Sequence, residues 1–422
     1  MDEKNALVPR LRFPEFREAG EWRKTQLGTK GIATFVKKRI SLNDLRIESY
    51  VSTENLLPDF GGKKCASKLP PSGSFTCFKA GDILIANIRP YLKKVWVADC
   101  DGAASNDVIV IRPMDSVHES FLSVLLKSDV FINYVMEGAK GVKMPRGDIS
   151  LMKEYTLAVP APEEQQKIAA CLSSLDALIA AQTDKIDALK AHKKGLMQQL
   201  FPREGETIPR LRFPEFREVG EWAVKMLGDL NPFVTSGSRG WAAYYADKGE
   251  LFVRITNLWR GSIYLDLTDP KFVQLPQGAN EGMRTQLKEH DVLVSITADI
   301  GIVGYVDASI PLPAYINQHI ALVRFDRTKI SGKYAAYFLA SERTQKLFCA
   351  STDTGTKAGM SLIGIKRIEI MLPSLSEQQK IADCLSSLDA LVVAHTEKLD
   401  ALKTHKKGLM QQLFPAVEET QI

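Results

Sequence analysis

A long internal repeat is the feature that most constrains how this chain can fold. The stretch from Pro9 to Trp22 recurs from Pro209 to Trp222 with a single substitution. A second block, from Glu163 to Pro202, recurs from Ser376 to Pro415 with eight differences over 40 positions. Blocks of this length do not recur by chance, so the chain must hold two copies of one ancestral unit.

Between the repeated blocks the two copies differ strongly, but short landmarks recur in the same order. The matched positions are Asn55 and Asn257, Asp82 and Asp291, and Asn106 and Asn317. Chance matching of short words is the alternative for these inner landmarks. If the matches are real, one ancestral domain was duplicated and then acquired small insertions.

Each variable domain combines predicted strands with a late predicted helix. Apolar and β-branched runs, separated by Gly, Pro and Asn, predict strands. Examples are residues 82–86, 108–111, 251–255 and 320–325. Residues 119–136 and 333–348 repeat apolar positions at spacings of three and four, which predicts helices. The predicted fold class is α+β, with two duplicated mixed α/β domains.

The repeated block that follows each variable domain has the heptad pattern of a long helix. The seam positions of the first copy are Ile168, Leu175, Gln182, Leu189 and Leu196, and those of the second are Ile381, Leu388, His395, Leu402 and Leu409. A stripe sustained over about five heptads is typical of a coiled coil. Docking of each helix on its own domain is the alternative.

Two such helices, joined through a globular domain, are predicted to pair antiparallel within the chain because the second helix must return along the first. This gives a pseudo-twofold particle with a domain at each end of a rod about 57 Å long. Gln182 and His395 would meet in one polar layer that fixes the register, and an exposed edge of the seam is the alternative for both. The predicted boundaries are 1–162 and 203–375 for the variable domains, 163–202 and 376–415 for the spacer helices, and 416–422 for a C-terminal tail.

The sequence offers little that could carry catalysis. The nearest approach to the Asp/Asn-Pro-Pro-aromatic motif of adenine methyltransferases is Asn231-Pro-Phe, and no G-x-x-x-x-G-K-S/T loop is present. Neither the six histidines nor the six cysteines have metal-ligand spacing. We therefore expect no cofactor and no metal, and a single-chain modification or cleavage enzyme stays as a competing interpretation.

Charge and hydropathy limit the partners. The formal net charge of +5 permits a nucleic-acid partner without requiring one. No apolar stretch approaches the ~18 residues of a membrane span, and the first residues lack a signal-peptide pattern. A cytoplasmic protein without a membrane partner is expected.

Both long helices end in the same motif, His-Lys-Lys-Gly-Leu-Met-Gln-Gln-Leu-Phe-Pro. They also begin at related motifs, which are Val159-Pro-Ala-Pro-Glu-Glu-Gln-Gln-Lys-Ile in the first copy and Leu372-Pro-Ser-Leu-Ser-Glu-Gln-Gln-Lys-Ile in the second. Together with Gly81-Asp-Ile-Leu-Ile, this pattern resembles the specificity subunits of type I restriction-modification systems over essentially the whole chain. In the second copy His290 replaces the glycine, a departure that affects only a turn.

The resemblance implies a non-catalytic subunit in which each variable domain is a target recognition domain. Each would read one half of a bipartite, asymmetric site in double-stranded DNA. The helices would set the spacing and dock two methyltransferase (modification) subunits, and restriction/translocase subunits would join in the full complex. A scaffold that links two protein-binding modules without recognising DNA is the alternative.

Local charge selects the residues expected to touch DNA. The sharpest candidate is the loop from Lys140 to Gly147, whose Lys143 and Arg146 have the reach and donors for guanine edges or phosphates. The other candidates are Lys37, Lys38, Arg39, Arg89, Lys93 and Lys94 in the first domain, and Arg239, Trp241, Arg254, Asn257, Arg260, Lys357 and Ser361 in the second. A solvated charged surface is the alternative for these positions.

The repeated segment that precedes each variable domain is predicted to bind the partner subunits. Its aromatic anchors are Phe13, Phe16 and Trp22, with Phe213, Phe216 and Trp222 in the second copy. Because both copies carry these residues, two identical methyltransferase subunits could bind equivalent surfaces. Packing of each segment onto its own domain is the alternative.

Overall fold

The chain divides into two compact units that do not follow the order of the sequence. A computed structural model describes residues 7–276, 278, 280–352 and 359–415. Unit 1 contains the chain up to Gln182 together with the part from Lys398 onward, and unit 2 contains Thr183 to Glu397. Each long helix is therefore shared between the two units.

Unit 1 holds the first variable domain. Its strands are β1 (Arg23–Gln26), β2 (Ala33–Phe35), β3 (Arg39–Ser41), β4 (Tyr50–Val51), β5 (Ser74–Phe78), β6 (Ile83–Ala86), β7 (Val95–Val97), β8 (Gly102–Ala104), β9 (Val108–Pro113) and β10 (Thr156–Val159). Its helices are α1 (Glu119–Leu126), α2 (Asp129–Glu137), α3 (Ile149–Glu154) and the first part of α4 (Pro162–Leu200).

Unit 2 holds the second variable domain and is built from corresponding elements. Its strands are β11 (Ala223–Met226), β12 (Phe233–Ser236), β13 (Tyr245–Ala246), β14 (Glu250–Val253), β15 (Phe272–Val273), β16 (Val292–Ser295), β17 (Val303–Tyr305), β18 (Ala314–Ile316), β19 (Ile320–Arg324) and β20 (Glu369–Leu372). Its helices are α5 (Asn280–Thr285), α6 (Gly332–Leu339), α7 (Glu342–Thr352), α8 (Leu362–Lys366) and the first part of α9 (Leu375–Leu413).

Each unit contains two four-stranded sheets and a two-stranded ribbon among its described residues. The orders are β2-β9-β6-β7, β3-β5-β8-β4 and β1-β10 in unit 1, and β12-β19-β16-β17, β13-β15-β14-β18 and β11-β20 in unit 2. The first sheet and the ribbon match strand for strand. In the second sheet the parallel pair is kept, but β8 neighbours β5 in unit 1 whereas β14 neighbours β15 in unit 2.

The central strand β6 shows how an all-apolar sequence joins two cores. All four of its residues are buried. Because successive side chains of a strand point to opposite faces, Ile83 and Ile85 enter the core that contains α1 and α2, whereas Leu84 and Ala86 enter a second core with Phe78. The predicted mixed α+β domains are confirmed.

The landmark pair Asp82 and Asp291 is structurally equivalent. Asp82 accepts hydrogen bonds from Nε and Nη2 of Arg112 at 2.7 and 2.6 Å, and Asp291 accepts the same two bonds from Arg324 at 2.7 and 2.6 Å. In each unit this pair joins the start of a central strand to its neighbour. Burial raises the pKa of Asp291, although the Arg324 hydrogen bonds act in the opposite direction.

The third landmark is a chance match. The backbone amide of Ser105 donates to the carbonyl of Val51 at 2.9 Å, and the amide of Asn317 donates to the carbonyl of Val253 at 3.2 Å. Val51 and Val253 occupy the same place in β4 and β14. Asn317 is therefore the counterpart of Ser105 and not of Asn106.

A repeated ion pair fastens the segment before each variable domain to the long helix that follows it. Arg12 donates from Nε and Nη2 to the two carboxylate oxygens of Glu164 at 2.8 and 2.7 Å. Arg212 makes the same bidentate contact with Glu377 at 2.7 and 2.8 Å. Both glutamates lie in the first helical turn, where a negative charge is favoured.

The core of each unit contains the beginning of one long helix and the end of the other. In unit 1 the core contains Ile168 and Leu172 from the first turns of α4 together with Leu413 from the last turn of α9. In unit 2 it contains Leu200 from the end of α4 together with Ile381 from the start of α9. Within each unit the two helical segments therefore run antiparallel, as the heptad repeats predict.

A lysine of one helix meets an aspartate of the other in both units. In unit 1 Lys406 Nζ lies 2.6 Å from Asp176 Oδ1, and in unit 2 Lys193 Nζ lies 2.5 Å from Asp389 Oδ1. The two pairs are equivalent under the repeat. The unit 2 pair is the more buried, with side chains 11% and 9% exposed against 19% and 48% in unit 1. The Gln182/His395 layer stays a prediction.

A tyrosine completes the buried pair of unit 2. The hydroxyl of Tyr337 donates to Asp389 Oδ2 at 2.6 Å. Burial, reinforced by that carboxylate, raises the pKa of Tyr337 far above its ordinary value, so the hydroxyl stays protonated and remains a donor. The carboxylate of Asp389 is thus satisfied from two sides, which is what burial of a charge requires.

Replacing Asp389 by Ala should destabilise unit 2 because it leaves the buried Lys193 ammonium without its partner. We expect the free energy of unfolding to fall by about 3–5 kcal/mol, measured by urea denaturation followed by tryptophan fluorescence. The matched change Asp176→Ala, at the more exposed pair, should cost less than about 1 kcal/mol. Equal losses for the two variants would contradict this expectation.

Candidate nucleic-acid interface

The predicted loop of unit 1 is a tight hairpin held against the turn that follows β6. The amide of Lys140 donates to the carbonyl of Arg146 at 2.9 Å, and the amide of Arg146 donates back at 3.0 Å. The amide of Arg89 donates to the carbonyl of Pro145 at 2.8 Å. The backbone therefore fixes the direction in which the hairpin tip points.

The tip of this hairpin presents a mixture of apolar and basic side chains to solvent. Val142 is fully exposed and Met144 is 51% exposed, while Lys143 between them is exposed and makes no ion pair within the described residues. Tyr91, on the neighbouring turn, is 48% exposed. Exposed apolar groups beside free cations are typical of a surface that meets a partner.

The base of the hairpin is tied to α3. Lys140 Nζ lies 3.0 Å from Asp148 Oδ2, and Asp148 caps the helix by accepting from the amide of Ser150 at 2.8 Å. The Lys140 hydrogen bond, followed by the amides of Ser150 and Leu151, lowers the pKa of Asp148. Lys140 is therefore already engaged, whereas Lys143 is not.

Two arginines meet the turn between β8 and β9. Arg146 Nη2 lies 2.9 Å from Asp107 Oδ1, and Arg39 Nη2 donates to Asn106 Oδ1. Arg39 also donates from Nε to Ser74 Oγ at 2.8 Å. Residues that are far apart in the sequence thus converge on one turn.

The other unit 1 candidates are either exposed or engaged with partners of their own. Arg89 is exposed and has a left-handed backbone, with φ of 52°. Lys93 pairs with Asp129 at 2.7 Å. Lys94 donates to the carbonyl of Thr53 at 2.7 Å. Two exposed residues just before β3 complete the set, namely Lys37 and Lys38.

The backbone contacts that hold the hairpin and the β8–β9 turn beside the end of β6 recur in unit 2, and we call this arrangement the framework. The amide of Asn87 donates to the carbonyl of Asp107 at 2.8 Å, and the amide of Ile296 donates to the carbonyl of His319 at 2.9 Å. The bridge between Ile88 and Arg146 corresponds to that between Thr297 and Gly359. Ala298, like Arg89, has a left-handed backbone, with φ of 61°.

The side chains on this framework differ completely between the units. Where unit 1 has Arg89, Asp107 and Arg146, unit 2 has Ala298, His319 and Gly359. His319 Nδ1 is hydrogen-bonded to Thr297 Oγ1, and its Nε2 lies 2.9 Å from Gln318 Nε2. One backbone arrangement therefore presents two different chemical surfaces.

Among the unit 2 candidates, Arg260 occupies a built polar site. Its guanidinium donates to Asp299 Oδ1 and Gln345 Oε1, and to the carbonyl of Ile300 at 2.9 Å. Trp259 beside it is 49% exposed. Arg239 is exposed. Ser361 caps α8 by accepting from the amide of Gly364 at 3.0 Å, and Lys357 lies outside the described residues.

Two unit 2 candidates have roles inside the fold. Trp241 is 2% exposed and packs against Phe252 and Tyr315, with ring centroids 5.0 and 5.3 Å away. Asn257 is also 2% exposed. Its Oδ1 accepts from the amide of Arg254 at 2.9 Å, and its Nδ2 donates to the carbonyl of Asp266 at 2.8 Å. Neither side chain presents a polar group outward, so the structure favours a role inside the fold for both.

Arg254 is partly exposed and partly engaged in contacts within the fold. Its Nη2 donates to Asp269 Oδ2 at 2.9 Å and to the carbonyl of the same residue at 2.7 Å. The side chain is 24% exposed, so only part of the guanidinium faces solvent. It stays a candidate for a phosphate contact.

The predicted partner anchors divide into core and surface residues. Trp22 is 3% exposed and packs against Phe121 and Phe414, and Trp222 is 2% exposed and packs against Tyr334. For both tryptophans the structure favours the alternative, packing within their own unit. The half-buried anchors are Phe13, Phe16, Phe213 and Phe216.

Sequence reasoning missed the acidic and amide groups that hold the arginines. Basic, amide-rich and aromatic runs in the sequence do not point to Asp107, Asn106 or Asp299. The available signal was an acidic residue directly before the buried run Val108–Ile111. Nothing in the sequence indicates that Arg146 would reach it from 39 positions further along the chain.

Within the described ranges, no cluster of three His, Cys, Asp or Glu side chains could hold a metal ion. In the same part of the chain, no helix has the length and apolar character needed to cross a membrane.

Comparison with known proteins identifies the family. Residues 30–191 and 220–404 each match the family described as type I restriction modification DNA specificity domain. The type I restriction enzyme MjaVIII specificity subunit of Methanocaldococcus jannaschii is 27% identical over 74% of this chain and 73% of its own length. The putative MjaX specificity subunit of that organism is 25% identical over 79% of this chain and 77% of its own length.

Solved structures agree on the fold. The type I restriction-modification system S subunit from M. genitalium aligns with a TM-score of 0.61 at 15% identity, over 97% of this chain and 100% of its own. A chain from a type I restriction-modification assembly aligns with a TM-score of 0.56 at 19% identity, over 94% of this chain and 98% of its own.

Because the family matches cover most of the chain, this protein belongs to the type I restriction-modification DNA specificity family. The prediction from the family resemblance is confirmed: the chain is a specificity subunit with two target recognition domains.

Proposed function

We propose that each unit reads one half of a bipartite DNA site through the framework that follows its central strand. The observation that carries this proposal is the replacement of Arg89, Asp107 and Arg146 in unit 1 by Ala298, His319 and Gly359 in unit 2 on the same backbone. Base edges are read by side-chain donors and acceptors. Different side chains on one framework therefore mean different half-sites.

The unit 1 half-site is proposed to contain guanine. Arg146 carries a guanidinium fork that suits guanine O6 and N7, and Arg89 and Lys143 supply further cations beside it. In unit 2, Arg260 with Trp259 is the proposed basic site, and Arg239 and Ser361 stay sequence-based candidates for DNA contacts. Lys37, Lys38, Arg39, Lys93, Lys94 and Arg254 are proposed as phosphate or positioning contacts, and Lys357 keeps its sequence-based assignment.

We propose that catalysis resides in partner subunits. The sequence has neither the Asp/Asn-Pro-Pro-aromatic motif nor the phosphate-binding loop that methylation or translocation would use. The partners would be two methyltransferase subunits, with restriction/translocase subunits in the full complex. DNA as the substrate implies action in the cytoplasm.

The repeated segments are proposed as the two docking surfaces. Phe13 lies beneath Lys167 Nζ at 5.7 Å, and Phe213 lies beneath Lys380 Nζ at 5.8 Å. The two surfaces are therefore alike in composition and local geometry. Equivalent surfaces on one chain suit two copies of one partner.

Replacing Arg146 or Lys143 by Ala should weaken recognition of one half-site only. We expect a loss of about 1–3 kcal/mol if the side chain reads a base, measured by competition binding of the full chain with single-base variants of the site. Arg260→Ala is the matched control and should affect only the other half-site. Uniform weakening across all sequences would make these residues phosphate contacts instead.

The partner proposal predicts two methyltransferase subunits per chain. Native mass spectrometry of the reconstituted complex measures the stoichiometry directly. Phe16→Ala combined with Phe216→Ala should abolish both docking events, whereas either change alone should leave one subunit bound. A stoichiometry of one methyltransferase subunit per wild-type chain would contradict the proposal of two docking surfaces.

The long helices are proposed to set the distance between half-sites. A heptad inserted after Gln182 and another after Leu399 would lie between the two Lys–Asp pairs and would disturb neither. We expect each half-site to stay the same while recognition at the original spacing is lost or altered, because seven residues add about 10 Å of helix. Undiminished preference for the original spacing, measured by selection from spacer libraries, would show that other elements set it.

A further inference from the structure

The turn between β8 and β9 in unit 1 is a rigid element that faces two arginines. Its backbone is fixed on both sides, since the amide of Ser105 donates to Val51 at 2.9 Å and the amide of Asn87 donates to Asp107 at 2.8 Å. The amide of Val108 closes the turn on Ser105 at 3.0 Å. The backbone positions from which the side chains of this turn extend are therefore fixed.

Arg146 and Arg39 reach this turn from separate elements. Arg146 comes from the hairpin before α3 and contacts Asp107, while Arg39 begins β3 and contacts Asn106. Consecutive residues of one turn thus hold two guanidinium groups. Arg39 is further restrained by Ser74, whose carbonyl accepts from Nη2 at 2.6 Å.

The Asp107–Arg146 contact contributes little to folding. The Arg146 side chain is 58% exposed and the Asp107 side chain is 37% exposed, and pairs with such exposure add little to stability. The contact is an ion pair between Nη2 and one carboxylate oxygen, so most of the five guanidinium donors remain available. What the contact does is restrict the orientation of a long side chain that would otherwise sample many rotamers.

Unit 2 lacks this arrangement at the equivalent positions. His319 stands in place of Asp107, and Gly359 stands in place of Arg146. The carboxylate and the guanidinium are therefore present together in one unit and absent together from the other. In unit 2 a different acidic residue, Asp299, contacts Arg260.

We propose that Asp107 is a specificity-determining positioning residue that holds the Arg146 guanidinium in the orientation that reads a base, with Asn106 holding Arg39 beside it. This inference rests on the proposed DNA recognition by unit 1. A pre-oriented fork loses less side-chain entropy on binding than a free one, which favours the correct base over others. A carboxylate near the phosphates also opposes binding to DNA in general, so Asp107 raises discrimination at the expense of non-specific affinity.

The test is a double-mutant cycle on the full chain with Asp107→Ala, Arg146→Ala and the combined variant. Each protein is titrated with the cognate duplex, with single-base variants of the unit 1 half-site and with an unrelated duplex at one salt concentration. We expect Asp107→Ala to reduce discrimination at the base that Arg146 reads by at least about fivefold, while binding to the unrelated duplex stays the same or strengthens. In the Arg146→Ala background, Asp107→Ala should change discrimination no further.

Two further variants separate positioning from structural damage. Asp107→Asn keeps the shape and an acceptor oxygen but loses the charge, so discrimination should lie between those of the wild type and Asp107→Ala. Asp99→Ala removes a carboxylate of the same unit that is 71% exposed and 3.9 Å from Lys63, and it should leave discrimination unchanged. Thermal melting of every variant shows whether the fold is intact.

The inference is overturned if Asp107→Ala leaves discrimination unchanged, if it weakens cognate and unrelated duplexes in parallel, or if its effect persists without Arg146. In those cases an effect of Arg146→Ala on one half-site would leave the proposed function standing. A wild-type chain with no sequence preference would overturn the proposed function, and this inference with it.

Discussion

Each long helix must pack against two different domains at once, and the rest of the structure depends on this constraint. The first turns of α4 lie in the core of unit 1, and its last turns lie in the core of unit 2. The same is true of α9 in reverse order. A sequence that satisfies both cores must be apolar on one face at both ends, and the heptad pattern accordingly places apolar residues on either side of the central Gln182 and His395.

The polar contacts at the helix ends decide where each helix begins and which partner it meets. The bidentate Arg12–Glu164 and Arg212–Glu377 pairs are nearly inaccessible to solvent, with side chains at most 7% exposed. Replacing one member would leave an unpaired buried charge, which is strongly unfavourable. These pairs therefore specify the docking of the repeated segment onto its helix, while the apolar face supplies most of the burial.

The sequence was sufficient for the architecture because repetition is visible without a structure. The heptads predict the long helices, the β-rich runs and late helical stretches predict the mixed domains, and the resemblance carried by the sequences at the helix ends predicts the family. Contacts between distant residues were not predictable in this way. An aromatic or amide residue near a basic one gives the same sequence pattern whether it faces solvent or the core. The pattern therefore predicts Trp241 and Asn257 as DNA contacts, although both are buried. The Asp107–Arg146 contact depends on a hairpin position that no local pattern encodes.

The sharing of helices also bears on how the chain is made. Unit 2 is continuous in sequence, from Thr183 to Glu397, whereas unit 1 needs the segment from Lys398 onward, including the buried Leu413. During synthesis the first variable domain emerges before the second, yet its core is completed only when α9 has left the ribosome. Domains generally fold as units, in the order in which they are synthesised. Here unit 2 can finish before unit 1, so a nascent chain leaves an apolar surface of unit 1 uncovered until α9 has been synthesised.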